Sequence, residues 1–211
     1  MPAGAAPPEA VAGRFDVSRE SYERLKVYVD LLRMWQGRIN LIGPATVSDI
    51  WERHVADSLQ LLPLLAPETK VLVDLGSGAG LPGLVVAIAG SLDVHLFESN
   101  LKKGAFLREA IRQTGASATI HTMRIEAAGN LAAAIHADAV TARALAPLPR
   151  LLSLAEPFLG NGAIGYFHKG QDVDAELTAA RKSWRIRADR HPSLTDSRGS
   201  ILVVKEAIRV A

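Results

Sequence analysis

The sequence predicts an α/β fold: a mostly parallel sheet with helices on both faces, an N-terminal helical extension and a C-terminal antiparallel hairpin. Three observations lead there. Between Val71 and Phe167, five short runs of β-branched and aliphatic residues alternate with segments of helical length, the pattern of repeated right-handed β-α units. The first run passes directly into a turn holding Gly76, Gly78, Gly80 and Gly83 before an apolar stretch resumes, which reads as strand, tight turn and helix start. After the last unit, strand-like runs at Trp184–Ala188 and Ile201–Val204 flank a polar, turn-rich loop, a natural antiparallel edge for such a sheet.

Size and composition agree with this. With 211 residues and 48% hydrophobic content, the chain can bury one good core, and we expect one domain over 1–211. Its parts are a loose Pro- and Ala-rich tail to about residue 15, N-terminal helices over 16–66 and the α/β core over 67–211. The sequence contains no apolar run long enough to span a membrane and no basic segment leading into an apolar signal core. Cysteine is absent, which excludes disulfides and thiolate metal sites and fits the reducing cytoplasm. Net charge is only +2, but 17 of the 24 basic residues are arginine, the side chain suited to bidentate phosphate contact. A GC-rich genome produces the same bias, so composition permits an RNA partner without requiring one.

Taken in order, Tyr22, Leu25, Val29, Leu32 and Trp35 recur at helical spacing from Ser18 to Gln36, with Ser18 as N-cap, Glu20 in the first turn and Val17 and Tyr22 as a hydrophobic staple. Gly37 ends this helix. In the linker Ile39–Pro44, Asn40 among apolar neighbours is expected to hold the loop by bonding backbone. A second helix is predicted from Asp49 to Leu62, with Glu52 at capping-box spacing and His54 and Ser58 on one face. His54 with Asp57 is better read as structure or substrate positioning than as a metal or acid-base pair, because no second ligand cluster lies nearby.

The core then reads as strand 71–75, helix 82–89, strand 94–97, helix 102–114, strand 119–122 and a weakly patterned helix near 127–135. Strand 139–142, helix 148–159, strand 164–167 and a helix from Val173 to about Lys182 complete it before the hairpin.

In an open parallel sheet, ligands bind beyond the C-terminal strand ends where the winding reverses, and the first strand lies at that point. That puts Asp74 to Gly83 at the ligand. A phosphate-binding P-loop needs Lys-Ser/Thr after its last glycine, and Leu84 stands there. A dinucleotide turn needs G-x-G-x-x-G, and Gly78 to Gly83 match it, so a NAD-dependent oxidoreductase is a competing reading. The third class is S-adenosylmethionine, whose methyltransferases commonly carry an acid before G-x-G-x-G, as in Asp74-Leu75-Gly76-Ser77-Gly78-Ala79-Gly80. A carboxylate beside a sulfonium and an ammonium is favourable, whereas beside a pyrophosphate it repels. Glu98, at the end of the second strand and 22 residues after Gly76, can accept both ribose hydroxyls of either adenosine cofactor. Asp74, the glycines and Glu98 together favour the methyl donor. At the same sheet edge, Ile125 can cover an adenine face and a backbone amide near Glu126 can read its edge, while Arg143, ending the fourth strand, addresses the substrate and the methyl group.

These features, in order, resemble the bacterial small-subunit ribosomal RNA guanine-N7 methyltransferases known as RsmG or GidB. The motifs are Trp35 with Asn40-Leu41, Arg53-His54 with Asp57-Ser58-Leu59, Asp74 through Gly83 with its specific Gly-Leu-Pro-Gly ending, Lys102-Lys103 with Phe106-Leu107-Arg108, Arg143-Ala144 before Pro147-Leu148, and Lys169-Gly170. Gln36 departs from the asparagine usual after the tryptophan, and the last 40 or so residues match only loosely. The resemblance implies a Rossmann-like class I S-adenosylmethionine-dependent methyltransferase fold and methyl transfer to N7 of a guanine in the 530 loop of 16S ribosomal RNA. Such an enzyme works in the cytoplasm, as a monomer by default, on the small subunit or its assembly intermediate. It implies Asp74, Gly76, Gly78, Leu81, Glu98, Ile125 and Glu126 around the cofactor and Arg143 near the methyl or the target base. Arg53, His54, Asp57, Lys102, Lys103 and Lys169 are its candidates for RNA, and no metal is implied. A different S-adenosylmethionine-dependent RNA methyltransferase is the neighbouring alternative, and a non-catalytic ribosome-binding module is argued against by the intact Asp74, glycines and Glu98.

Overall fold

A computed structural model of the protein describes residues 7–210. Its strands are β1 (Val71–Leu75), β2 (Asp93–Phe97), β3 (Ala118–His121), β4 (Ala139–Arg143), β5 (Ile164–Lys169), β6 (Trp184–Pro192) and β7 (Ser200–Arg209). They form one sheet in the order β3-β2-β1-β4-β5-β7-β6. The first five are mutually parallel, and β7 runs antiparallel to β5 and to β6. From β1 the chain winds outward to β3 and then crosses back to β4, so the winding reverses at the ends of β1 and β4.

Among the described residues, eight α-helices accompany the sheet: α1 (Pro8–Arg14), α2 (Arg19–Gln36), α3 (Asp57–Leu59), α4 (Gly83–Ala89), α5 (Leu101–Thr114), α6 (Gly129–Ala134), α7 (Leu148–Leu159) and α8 (Val173–Ala180). Alternation along the central strands divides the core between the two faces. Leu72, Val94 and Leu96 pack with Leu25 and Tyr28 of α2, Leu84 of α4 and Phe106 of α5. Val73, Leu75 and Phe97 pack with Leu151 and Phe158 of α7 and with Trp184 of the hairpin. The central strands are therefore apolar on both faces, as a parallel sheet between helical layers requires. Among the described residues, no helix is long and apolar enough to cross a membrane.

The sequence pattern and the structure differ at the N-terminal end. Within the expected loose tail, residues 8–14 form α1, because Val11 is buried in the core, Glu9 accepts from the Tyr22 hydroxyl at 2.7 Å and Arg14 binds both Glu52 oxygens at 2.8 Å. Residues 1–6 lie outside the described residues. The predicted helix 49–62 is instead a 3₁₀ turn (Pro44–Asp49), a π-turn (Trp51–Ala56), α3 and a second 3₁₀ turn (Leu62–Leu64). Tertiary partners take the side chains that a capping box and a regular helix would use. Glu52 faces Arg14, and Arg53, His54 and Asp57 all face the sheet edge. Such widened turns recur at functional sites.

Asn40 is exposed and does not hold its loop. Gln36 does so: its Oε1 accepts from the amides of Leu41 and Ile42 at 2.9 and 3.0 Å, and its Nε2 donates to the Ile42 carbonyl at 2.8 Å. The residue that departs from the family pattern is thus the one satisfying the linker's backbone.

Candidate active site

The turn after β1 is built on backbone bonds. Ser77 N donates to the Phe97 carbonyl at 2.9 Å, Ser77 Oγ donates to the Asp74 carbonyl at 3.0 Å, and Gly80 N donates to Ser77 O at 2.6 Å. From behind, the buried Tyr28 hydroxyl of α2 donates to the Ala79 carbonyl at 2.8 Å. Gly78 has φ of +58°, and a Cβ there would meet nothing closer than Gly76 O at 3.8 Å, so its outer side is open space against the main chain. Gly83 is the opposite case: a Cβ would stand 2.6 Å from the Asp74 Cβ and 2.7 Å from Asp74 Oδ2 and Leu96 Cδ2. Helix α4 packs on β1 through that contact.

Asp74 therefore lies beneath the turn. It is 0% exposed, its Oδ2 accepts from Gly83 N at 3.3 Å, and Oδ1 is buried without a partner among the described residues. Burial pushes its carboxyl up to about 7. The acid read from the sequence as facing a cation does not open onto the cleft. Glu98 does. Its Oε2 accepts from Gly78 N at 2.9 Å and its Oε1 from Asn100 N at 2.7 Å, fixing the carboxylate at the rim while leaving further lone pairs on both oxygens.

Three adjoining cavities follow the C-terminal edge of the sheet. The first, about 310 Å³, is lined by Gly76, Gly78, Glu98, Lys103, Ile125 and Glu126, with Met123 and Leu145 adding apolar walls. The second, about 330 Å³, lies over the turn between Gly76, Gly78, Leu81 and Lys103 on one side and Ile42, His54 and Arg143 on the other. The third, about 530 Å³, is bounded by Arg53, Asp57, Arg143, His168 and Lys169 and by the β6–β7 loop at Ser193–Ser200. Ala144 lines all three, and Arg143 lines the second and third. Ala144 holds φ of +52°, a left-handed conformation uncommon for a residue with a side chain, at the point where the cavities meet.

Arg143 is held by three acceptors. Its Nε lies 3.2 Å from Asp57 Oδ2, and its Nη2 donates to the Arg53 carbonyl and to His54 Nδ1, both at 3.0 Å. Because a guanidinium only donates, His54 Nδ1 carries the lone pair and Nε2 carries the proton. That proton points to Thr46 Oγ1 at 2.7 Å, whose hydroxyl donates on to the Gly43 carbonyl at 2.8 Å. Burial first, and Arg143 second, push the His54 pKa down to about 4, so the ring is neutral at pH 7. Asp57 is shared further: Oδ1 accepts from Thr195 Oγ1 at 2.6 Å and from Gln60 Nε2 at 2.7 Å, and its carbonyl accepts from His168 Nε2 at 2.8 Å.

The remaining candidates divide by exposure. Arg53 is partly exposed and reaches Asp196 at 3.4 Å, Lys102 is exposed at the start of α5, and Lys103 faces the first two cavities. Glu126 turns its carboxylate to Arg150. Lys169 lines the third cavity, but its side chain is only 6% exposed, pairs with Glu176 at 2.5 Å and donates to the Ala146 carbonyl at 3.2 Å. It is thus not a freely exposed cation for phosphate. Glu176 in turn accepts from the first amide of α7, Leu148 N, at 2.6 Å. Tyr28, Thr195 and His168 escaped the sequence reading. His168 had one signal, a polar residue at the C-terminal end of a parallel strand, in register with Arg143.

The family model described as rRNA small subunit methyltransferase G, GidB, matches residues 21–202. A protein of Paramagnetospirillum magneticum named ribosomal RNA small subunit methyltransferase G is 52% identical over 202 residues, covering 96% of this chain and 97% of that protein. One of the same name from Rhodospirillum centenum is 54% identical over 192 residues, covering 91% and 87%. Among solved structures, MtNAS in complex with S-adenosylmethionine superposes with a TM-score of 0.56 at 16% identity, over 95% of this chain and 84% of that one. A methyltransferase from Geobacter sulfurreducens gives a TM-score of 0.55 at 13% identity, over 86% and 88%. At such identities the structures speak for the fold alone, and it is the fold expected from the alternating pattern. Relatives that are half identical along nearly the whole chain settle the dinucleotide alternative, and the chain belongs to the GidB family of small-subunit ribosomal RNA methyltransferases.

Proposed function

We propose that this protein transfers a methyl group from S-adenosylmethionine to N7 of a guanine in the 530 loop of 16S ribosomal RNA. It does so in the cytoplasm, as a monomer, on the small subunit or its assembly intermediate. Within this family, the observation that carries the reading is the junction at Arg143 and Ala144. There, cavities beside Glu98 and the glycine turn adjoin a larger groove lined by Arg53, Asp57, Arg143, His168 and Lys169.

The residues present fit the cofactor. Glu98 keeps acceptor capacity for two ribose hydroxyls, Gly78 leaves the turn open to close approach, Gly76 lines the same cavity packed against Leu145, and Met123, Ile125 and Leu145 offer apolar faces to a ring. Glu126, with its carboxylate on Arg150, contributes through its main chain. Leu81 closes the second cavity, and Lys103 is placed to meet a carboxylate there. Asp74 acts from below, holding Gly83 and the turn. When bound, S-adenosylmethionine supplies an electrophilic methyl group on a sulfonium.

The chain's own work is then to seat the base and exclude water. Guanine N7 has a lone pair unprotonated at neutral pH, so no general base is needed. His54 is unsuited to be one, since both ring nitrogens are engaged. Arg143, locked by Asp57, His54 and the Arg53 carbonyl, holds the base in line, and orientation of this kind supplies much of the acceleration in such a transfer. Arg53, Lys102 and Lys103 supply positive charge towards RNA. His54, Asp57 and Lys169 support the RNA side by positioning other groups.

The test is to offer purified protein and labelled S-adenosylmethionine to small-subunit RNA and particles from a strain lacking the gene. Label in 16S N7-methylguanine is the expected result. Label on protein, on small molecules or on another base would overturn the reading.

A further inference from the structure

Three of the residues lining the third cavity each carry a polar atom that is shielded from solvent and has no hydrogen-bonding partner among the described residues: Arg143 Nη1, His168 Nδ1 and Ser200 Oγ. Native interiors rarely leave such groups unmet, and several around one cavity point to a polar ligand that satisfies them.

Two of the three belong together. Arg143 and His168 are register partners on β4 and β5, so their side chains leave the same face of the sheet about 4.8 Å apart. Both also touch Asp57: Arg143 Nε lies 3.2 Å from its carboxylate, and His168 Nε2 lies 2.8 Å from its carbonyl. The second contact fixes the ring. A carbonyl can only accept, so Nε2 carries the proton and Nδ1 the lone pair. Burial of the side chain, 8% exposed, lowers the basicity of His168 and keeps it neutral. For Arg143, Nε and Nη2 are already committed, which leaves Nη1. Two neighbouring side chains of the wall therefore carry one unmet donor and one unmet acceptor, each side chain held by a separate anchor.

The complement of that pair is an acceptor beside a donor, the edge of a lactam. Guanine carries one in O6 and N1–H. Adenine presents the reverse, an amino group beside a bare ring nitrogen. O6 is also the neighbour of N7, and Arg143 borders the cavity over the glycine turn as well as the groove, so a base with O6 on Arg143 turns N7 towards the methyl donor's side. We propose that Arg143 and His168 read the target base, Arg143 Nη1 donating to O6 and His168 Nδ1 accepting from N1–H. This rests on the function proposed above. Ser200 pairs in register with Lys169, on the other face of the sheet, and we assign it no contact.

The experiment uses 16S RNA ligated with one analogue at the position the wild-type protein methylates, reconstituted into small subunits. Inosine keeps the lactam edge and N7 but lacks the 2-amino group; 2,6-diaminopurine keeps N7 and the 2-amino group but reverses the edge. With wild-type protein, inosine should be methylated within a few-fold of guanine, and diaminopurine about a hundredfold less well in kcat/KM. His168→Ala should narrow the preference for guanine over diaminopurine by about tenfold. A merely structural role would lower both substrates alike, and S-adenosylhomocysteine affinity checks that the variant is folded. Equal use of guanine and diaminopurine by the wild type overturns the assignment, as does inosine as poor as diaminopurine. No methylation of any small-subunit RNA would instead remove the proposed function itself, and this inference with it.

Discussion

Arg143 Nη2 stands 3.0 Å from His54 Nδ1, and through that imidazole the end of β4 is tied to Thr46 and Gly43 of the N-terminal extension. The extension is thereby part of the wall of the cavity over the glycine turn. Replacing Arg143 by alanine is expected to lower turnover about a hundredfold while S-adenosylhomocysteine affinity changes only a few-fold. The two isosteres of His54 should separate its contacts. Asparagine places an oxygen near Nδ1 and keeps Arg143, whereas glutamine reaches towards Thr46 and releases Arg143. His54→Gln should therefore lose about tenfold in kcat and His54→Asn less. Steady-state kinetics beside calorimetry reads this directly, and an equal fall in turnover and cofactor affinity would place Arg143 at the cofactor instead.

Glu98 is expected to govern cofactor affinity through the turn as well as by contact. Its two oxygens hold the amides of Gly78 and Asn100, so removing the carboxylate frees the turn and loses the acceptor proposed for the ribose together. Glu98→Ala should raise the S-adenosylhomocysteine Kd by about tenfold to a hundredfold. An unchanged Kd in isothermal titration would show that the ribose lies elsewhere.

Gly83 is a packing position. An added methyl would sit 2.6 Å from the Asp74 Cβ and 2.7 Å from Leu96 Cδ2, with fully buried neighbours on β1 and β2. Gly83→Ala should cost about 2 kcal/mol or more in chemical denaturation. Retention of full stability would mean that α4 can slide on the sheet.

Asp74 and His54 pull stability in opposite directions over the same pH range. For Asp74, raised by burial to about 7, the contribution is fully present below its ordinary value near 4 and is lost as pH rises through about 7. For His54, lowered to about 4, the contribution is present above about 6.5 and lost as pH falls through about 4. Asp74→Asn removes the first and leaves the second. Its stability should therefore climb more steeply with pH between about 4 and 7 than that of the wild type, by on the order of a few kcal/mol. Thermal melts across that interval test the sign, and parallel curves for the two proteins would contradict it.

The β-α alternation was legible because a strand buried between helical layers must be apolar throughout and a helix must repeat its apolar face; both are local demands. The observed strands begin and end within a few residues of the runs that predicted the five parallel ones. The glycine turn was legible for a similar reason, since left-handed backbone at Gly76, Gly78 and Gly80 is a requirement of single positions. The hairpin was visible as two runs but is longer than they suggest: β6 extends to Pro192 and β7 to Arg209. Antiparallel pairing satisfies the backbone there, and the polar side chains carry no periodic signal.

What local pattern could not supply was which side of a strand end a polar group occupies. The sequence by itself determined the sheet, the turn, the family and the place of Glu98 at the strand end beside the turn. Only the tertiary structure decided that Asp74 lies under the turn, that Gln36 and not Asn40 ties the linker, and that Lys169 is paired with Glu176. The same holds for Asp57, which joins Arg143, Thr195 and His168 across separations of 86, 138 and 111 residues. Strand propensity and glycine conformation act within a few residues of chain. A hydrogen bond between groups a hundred residues apart exists only once the sheet has brought three strand ends together.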